Sequence, residues 1–158
     1  MRWNQFDNDP DRASALGDLL LGAALAGGPL TDAKLAVVLG QVAKVLATSE
    51  LPPEVTAHLR RFDPERFDLA RACRLLAPEG ARDCVSLMKA VALVIQSDGF
   101  VSREARAFAL RLATQLGMPL SAAIAIVGPP LRPITRPRPR PVTQPYAAPH
   151  RTAHEVSR

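Results

Sequence analysis

Apolar residues recur at helical spacing through most of this chain, and glycine, proline and capping residues separate one run from the next. Over residues 11–26, Leu16, Leu19, Leu20 and Ala23 share one helical face, and the Gly27-Gly28-Pro29 sequence that follows cannot prolong a helix. Thr31 is a favourable N-cap with Asp32 in the first turn. From there Leu35, Val38, Leu39, Val42, Val45 and Leu46 follow i, i+3, i+4, i+7 spacing without a miss, the cleanest amphipathic pattern in the sequence. Residues 49–53 break it, and a short segment with Val55, Leu59 and Phe62 follows. Asp63-Pro64 then combines an N-cap with a proline at the first helical position, which predicts a fourth helix starting there with Phe67, Ala70, Cys73 and Leu76 as its apolar stripe.

After a turn at residues 78–80, a fifth helix is expected to run to about Gln96. Val85, Leu87, Met88, Val91, Leu93, Val94 and Ile95 make it apolar nearly all round, so the pattern predicts that it forms the centre of a bundle. Ser97-Asp98-Gly99 ends it. Ser102 caps a sixth helix with Glu104 in its first turn and Ala105, Phe108, Ala109, Leu112 and Leu116 facing inward, Gly117 stops it, and a last short helix covers about 120–127. Short connections favour antiparallel neighbours. The expected architecture is all-α: a compact bundle of six to seven helices over residues 11–128, preceded by an N-terminal extension (1–10) and followed by a disordered Pro/Arg-rich tail (129–158).

Composition supports helix over strand, because aromatic residues are only 4% of the 158 and the apolar share, 47%, is mostly Ala, Leu and Val. Charge is distributed unevenly. Residues 1–128 carry 14 basic and 14 acidic side chains, while 129–158 carry six arginines against Glu155, so the whole net charge of +5 belongs to the tail, with eight of the fifteen prolines. No apolar run approaches the roughly 18–20 residues of a membrane-crossing helix, and the first ten residues, with Asp7, Asp9 and Pro10, lack the apolar stretch of a secretory leader. Cys73 and Cys84 stand in apolar helical patterns and form no C-x-x-C, which suits a reducing compartment. A cytoplasmic location is expected, with a peripheral place at the membrane surface open to it through the basic tail.

A shift of 71 residues lays Gly28 on Gly99, Leu30 on Val101 and Thr31 on Ser102, and brings Leu16, Leu20, Val38, Val42 and Val45 onto Leu87, Val91, Ala109, Ala113 and Leu116. The charges do not repeat: Gly27 stands opposite Asp98 and Ala33 opposite Glu104. Two weakly related helical halves are therefore expected, with an acidic turn in the second alone.

The run Ile95-Gln96-Ser97-Asp98-Gly99-Phe100-Val101-Ser102-Arg103-Glu104, followed by Phe108, Leu112, Leu116 and Gly117, resembles the TerB-like tellurite-resistance family. That family is similar in having an apolar helix, an Asp-Gly turn, a Ser or Thr cap, a Glu in the next first turn and a closing Leu-Gly. The specific likeness covers about thirty residues, and helix order extends it over 15–127. It implies an all-helical fold of two related halves, no catalytic chemistry, a role in stress-response assemblies at the cytoplasmic side of the membrane, and a divalent metal site of acidic residues near the turn. Only Asp98 and Glu104 carry over to that site.

Two carboxylates are few for a hard cation, which usually wants six or more oxygens, and the spacing is not that of an EF-hand. The competing reading is that Asp98 stabilises the turn while Glu104 complements the helix N-terminus. For catalysis, His58 has no evident partner, no nucleophile or phosphate-binding motif is present, and Cys73 and Cys84 read as core thiols. The chain is not expected to be an enzyme, and it implies no cofactor beyond the weak divalent metal.

In the tail, Arg132, Arg136, Arg138 and Arg140 alternate with proline, a pattern that excludes helix and favours polyproline II. Such a segment can bind nucleic acid or anionic lipid, dock as a Pro-rich ligand, or serve as a solvated spacer. The functional expectation is a non-enzymatic TerB-like interaction module with protein partners, in tellurite or general stress response. The alternative is an accessory protein that binds nucleic acid or an anionic surface through the tail.

Overall fold

The computed structural model describes residues 9–128, which form seven α-helices and, among those residues, no strand. These are α1 (Pro10–Ala26), α2 (Asp32–Val45), α3 (Pro53–Arg60), α4 (Leu69–Leu76), α5 (Gly80–Gln96), α6 (Arg103–Gln115) and α7 (Leu120–Val127). The expected tail, with Arg132, Arg136, Arg138 and Arg140, lies outside the described residues, as does the extension up to residue 8. Among the described residues no helix is long and apolar enough to cross a membrane.

Side-chain caps set where the helices start. Asp9, expected in the extension, caps α1 instead, accepting from the backbone N–H groups of Asp11 (3.0 Å) and Arg12 (3.2 Å), with Pro10 at the first helical position. Thr31 accepts from Lys34 N at 3.2 Å and Ser102 from Ala105 N at 3.0 Å, both as expected. The fourth helix starts five residues later than Asp63-Pro64 predicts. Asp63 and Pro64 instead form a turn closed by Arg66 N donating to Asp63 O (3.2 Å), and Asp68 is the cap, accepting from Arg71 N at 3.1 Å. The delay places Phe67 between Phe62 and Phe108, with ring centroids 5.8 and 6.2 Å away, so aromatic packing outweighs the local capping signal.

The most central helix is α1, whereas the sequence pattern pointed to α5. α1 packs against α2, α3, α4, α5 and α6, while α5 packs against α1, α2, α6 and α7 and leaves Leu93 51% exposed. Small residues explain the difference: Ala13, Ala15, Gly17, Ala23 and Ala24 are buried around α1 alongside Leu16, Leu19, Leu20 and Leu21, and they allow neighbours to approach on several sides. Gly17 shows this directly, since Leu59 of α3 fills the space a Cβ would take.

The two-halves pattern appears in the helix boundaries. The 71-residue shift carries Asp32 onto Arg103, the first residues of α2 and α6, and carries α1 onto α5 within one residue at each end. Gly28 and Gly99 both have positive φ, +121° and +71°. Leu16 and Leu87, Leu20 and Val91, Val38 and Ala109, and Val42 and Ala113 are fully buried in both members of each pair. The α1–α2 and α5–α6 hairpins thus put equivalent side chains into one shared core.

Candidate functional site

Asp98 lies in the turn between α5 and α6, and its carboxylate reaches into the other hairpin. Oδ1 accepts a hydrogen bond from the Thr31 hydroxyl at 2.8 Å, and Oδ2 is 3.2 Å from Lys34 Nζ. Lys34 also donates to Pro29 O at 3.1 Å, and at 3% exposure it is the charged residue in the described core. It occupies the third position of α2, where the helix dipole disfavours a cation, so the Asp98 carboxylate compensates both its burial and its location. The Thr31 hydrogen bond lowers the pKa of Asp98 from the ordinary carboxylate value. Burial opposes that, and the Lys34 hydrogen bond and charge add to the lowering.

The equivalent contact in the other direction is apolar. The 71-residue shift pairs Gly27 with Asp98 and Lys34 with Ala105, and a Cβ on Gly27 would stand 3.4 Å from the Ala105 Cβ. Each interhelical turn therefore leans on the first turn of the opposite hairpin, once through an ion pair and once through two small residues. Lys34 was hidden in the sequence as a polar residue beside an apolar stripe. The available clue was the mismatch between Gly27 and Asp98.

Glu104, the other residue of the expected metal site, is exposed in the first turn of α6, and Asp98 is engaged by Thr31 and Lys34. Among the described residues no three His, Cys, Asp or Glu side chains gather as a metal would need. A divalent ion at Asp98 would have to displace an ammonium group that is already there.

His58, read from sequence as having no partner, has one: Nε2 is 2.9 Å from both carboxylate oxygens of Asp18. The pair bridges α3 and α1 across 40 residues, a separation that no local motif reports. It lines a cleft of about 570 Å³ together with Asp11, Asp63 and Asp68 on one side of the charge balance and Arg61, Arg66 and Arg71 on the other. Asp18 thus fixes the imidazole of His58 through Nε2 at the edge of that cleft. Four aspartates, Asp18 included, stand against three arginines in the lining, so the cleft offers little net field to an ion of either sign.

Cys73 is buried and Cys84 half-buried, and burial chiefly pushes both thiols above their ordinary pKa. Cys84 Sγ donates to Leu116 O at 3.8 Å. Both behave as core thiols and not as activated nucleophiles.

A second candidate surface is apolar. α7 has no charged residue, packs on α5 and α6, and buries Ala123 and Val127, while Leu120 (50%) and Ile124 (40%) remain exposed together with Leu93 of α5. No family model matches the chain, and neither a curated protein nor a solved structure matches it.

Proposed function

We propose that the chain is a non-enzymatic interaction module of TerB-like design whose contact surface for a protein partner is the α5–α7 face. The observation that carries this reading is α7, an uncharged surface helix with Leu120 and Ile124 in solvent, packed on α5, whose Leu93 is exposed as well. Exposed aliphatic groups on adjoining helices mark a surface suited to association. The resemblance at residues 95–104 supports the TerB-like part and suggests stress-response partners. A weak divalent site at Asp98 and Glu104 has less support, because Lys34 supplies the positive charge at Asp98.

One observation favours a second reading, binding of nucleic acid or an anionic membrane surface: the six arginines against one glutamate in residues 129–158. A pull-down with two variants separates the two readings. If the module reading holds, partner capture survives deletion of 129–158 and is lost in Leu120→Glu/Ile124→Glu. Loss of all capture on deletion, with steep salt dependence in the full chain, makes the basic segment the binding element.

A further inference from the structure

Leu120 and Ile124 stand one turn apart on α7, so their exposed side chains lie on one face of the helix. Gln96 of α5 ties the two helices at one end, its Nε2 donating to Val127 O at 2.8 Å. Leu93 precedes Gln96 by three residues and Ile124 precedes Val127 by three, so both lie about one turn back from that bond. The exposed strip on α7 therefore runs from near its end towards its start, and α5, packed against α7, carries the exposed Leu93 at a matching offset from that bond.

We propose that this strip is covered by the chain's own segment 130–134. The chain leaves the described structure at the end of the strip. Gly128 follows α7 directly, has φ 80° and ψ 174°, and donates its N–H to Ile124 O at 3.0 Å. Leu131 comes three residues later, a reach of about 9 Å at roughly 3.1 Å per residue. Ile124 lies about 6 Å back along the helix.

The sequence pattern of the segment matches such a surface. Polyproline II repeats every three residues, so in that conformation the sequence Pro130-Leu131-Arg132-Pro133-Ile134 would put the two aliphatic residues on one edge, the two prolines on the next, and Arg132 on the third. Beyond Thr135 the run from 136 to 141 is only arginine and proline, with no aliphatic residue before Val142, so the apolar match is confined to the part within reach of the strip. Prolines restrict the free chain and reduce what is lost when it is ordered. Direct attachment at Gly128 gives the segment an effective concentration in about the millimolar range, where a small apolar contact is populated. The segment then occupies the face assigned above to a partner and competes with it.

The test uses the full chain with labelled Ile, Leu and Val methyl groups and requires no partner, so its failure is separate from failure of the module reading. NMR should show cross-peaks between Ile134 and Ile124 or Leu93. Leu131→Asp/Ile134→Asp should remove them and shift the methyl signals of Leu93, Leu120 and Ile124 while leaving Leu16 and Val91 in place. Arg138→Ala/Arg140→Ala should leave the strip unchanged. Absent cross-peaks, or strip signals that ignore the Asp variant, overturn the proposal. So do strip shifts that grow with concentration as the sedimenting mass doubles, since the occupant is then a second copy.

Discussion

Replacing Asp98 by Asn keeps the side chain's shape and an oxygen for the Thr31 hydroxyl but removes the negative charge facing Lys34. Breaking a fully buried pair costs about 3–5 kcal/mol, whereas an exposed pair is worth about 0–1 kcal/mol. The two side chains here are 4% and 29% exposed, so the cation is enclosed while the carboxylate keeps a wet side, and solvent screening lowers the upper figure. The expected loss is about 2 kcal/mol, which for a domain of this size lowers Tm by about 8 °C. Lys34→Met, which removes the buried cation itself, should cost under about 1 kcal/mol and should restore most of the loss when added to Asp98→Asn. Because the carboxyl pKa is lowered in the folded state, its contribution is fully present above the unfolded value of about 3.9 and is lost as pH falls through the lower folded value. The gap between wild type and Asp98→Asn should hold at neutral pH and close in acid. Thermal and urea unfolding of the four proteins checks this. An Asp98→Asn protein as stable as wild type at neutral pH, with no recovery in the double variant, would refute the role assigned to the pair.

Val91 is fully buried on α5, and Val91→Asp should cost several kcal/mol by placing an unpaired charge in the core, to be read as loss of cooperative thermal unfolding. Titration with Ca²⁺ or Mg²⁺ should leave the Gly99 amide resonance in place up to millimolar ion, because Lys34 already neutralises Asp98; a saturating shift lost in Asp98→Asn would restore the metal reading. With both thiols pushed above their ordinary pKa, alkylation of Cys73 and Cys84 in the native protein should lag behind that of a cysteine peptide at neutral pH and catch up only in denaturant, as peptide mass spectrometry can follow.

The helices were largely legible because each combines a regular apolar period with a local start or stop: Thr31 and Ser102 as caps, Gly27-Gly28-Pro29 and Gly117 as ends. Failures occurred where distant contacts decide. Asp63-Pro64 and Asp68 are both adequate local starts, and the choice between them depends on Phe108, about forty residues away in the chain. The central place of α1 depends on alanines and a glycine, which weigh little in a hydrophobic pattern yet allow close packing on several sides. In the candidate sites, Asp98 stood out by its motif, but its partner Lys34 lies in the other half, and His58 and Asp18 share no spacing a reader of the chain could use. The α5–α7 face was hidden for the opposite reason: Leu93, Leu120 and Ile124 fit a core pattern, and only the packing leaves them uncovered.

The bond between Thr31 and Asp98 spans 67 residues, which gives synthesis an order that the finished fold does not display. While the chain is being made, α1 and α2 are complete and Lys34 is in place before Asp98 exists; at about 5–20 residues per second that interval lasts several seconds. Throughout it, the cation destined for the interior has no counter-charge from the second hairpin. An α1–α2 fragment is an unfinished half, because the charge that Lys34 faces in the folded protein belongs to the second hairpin.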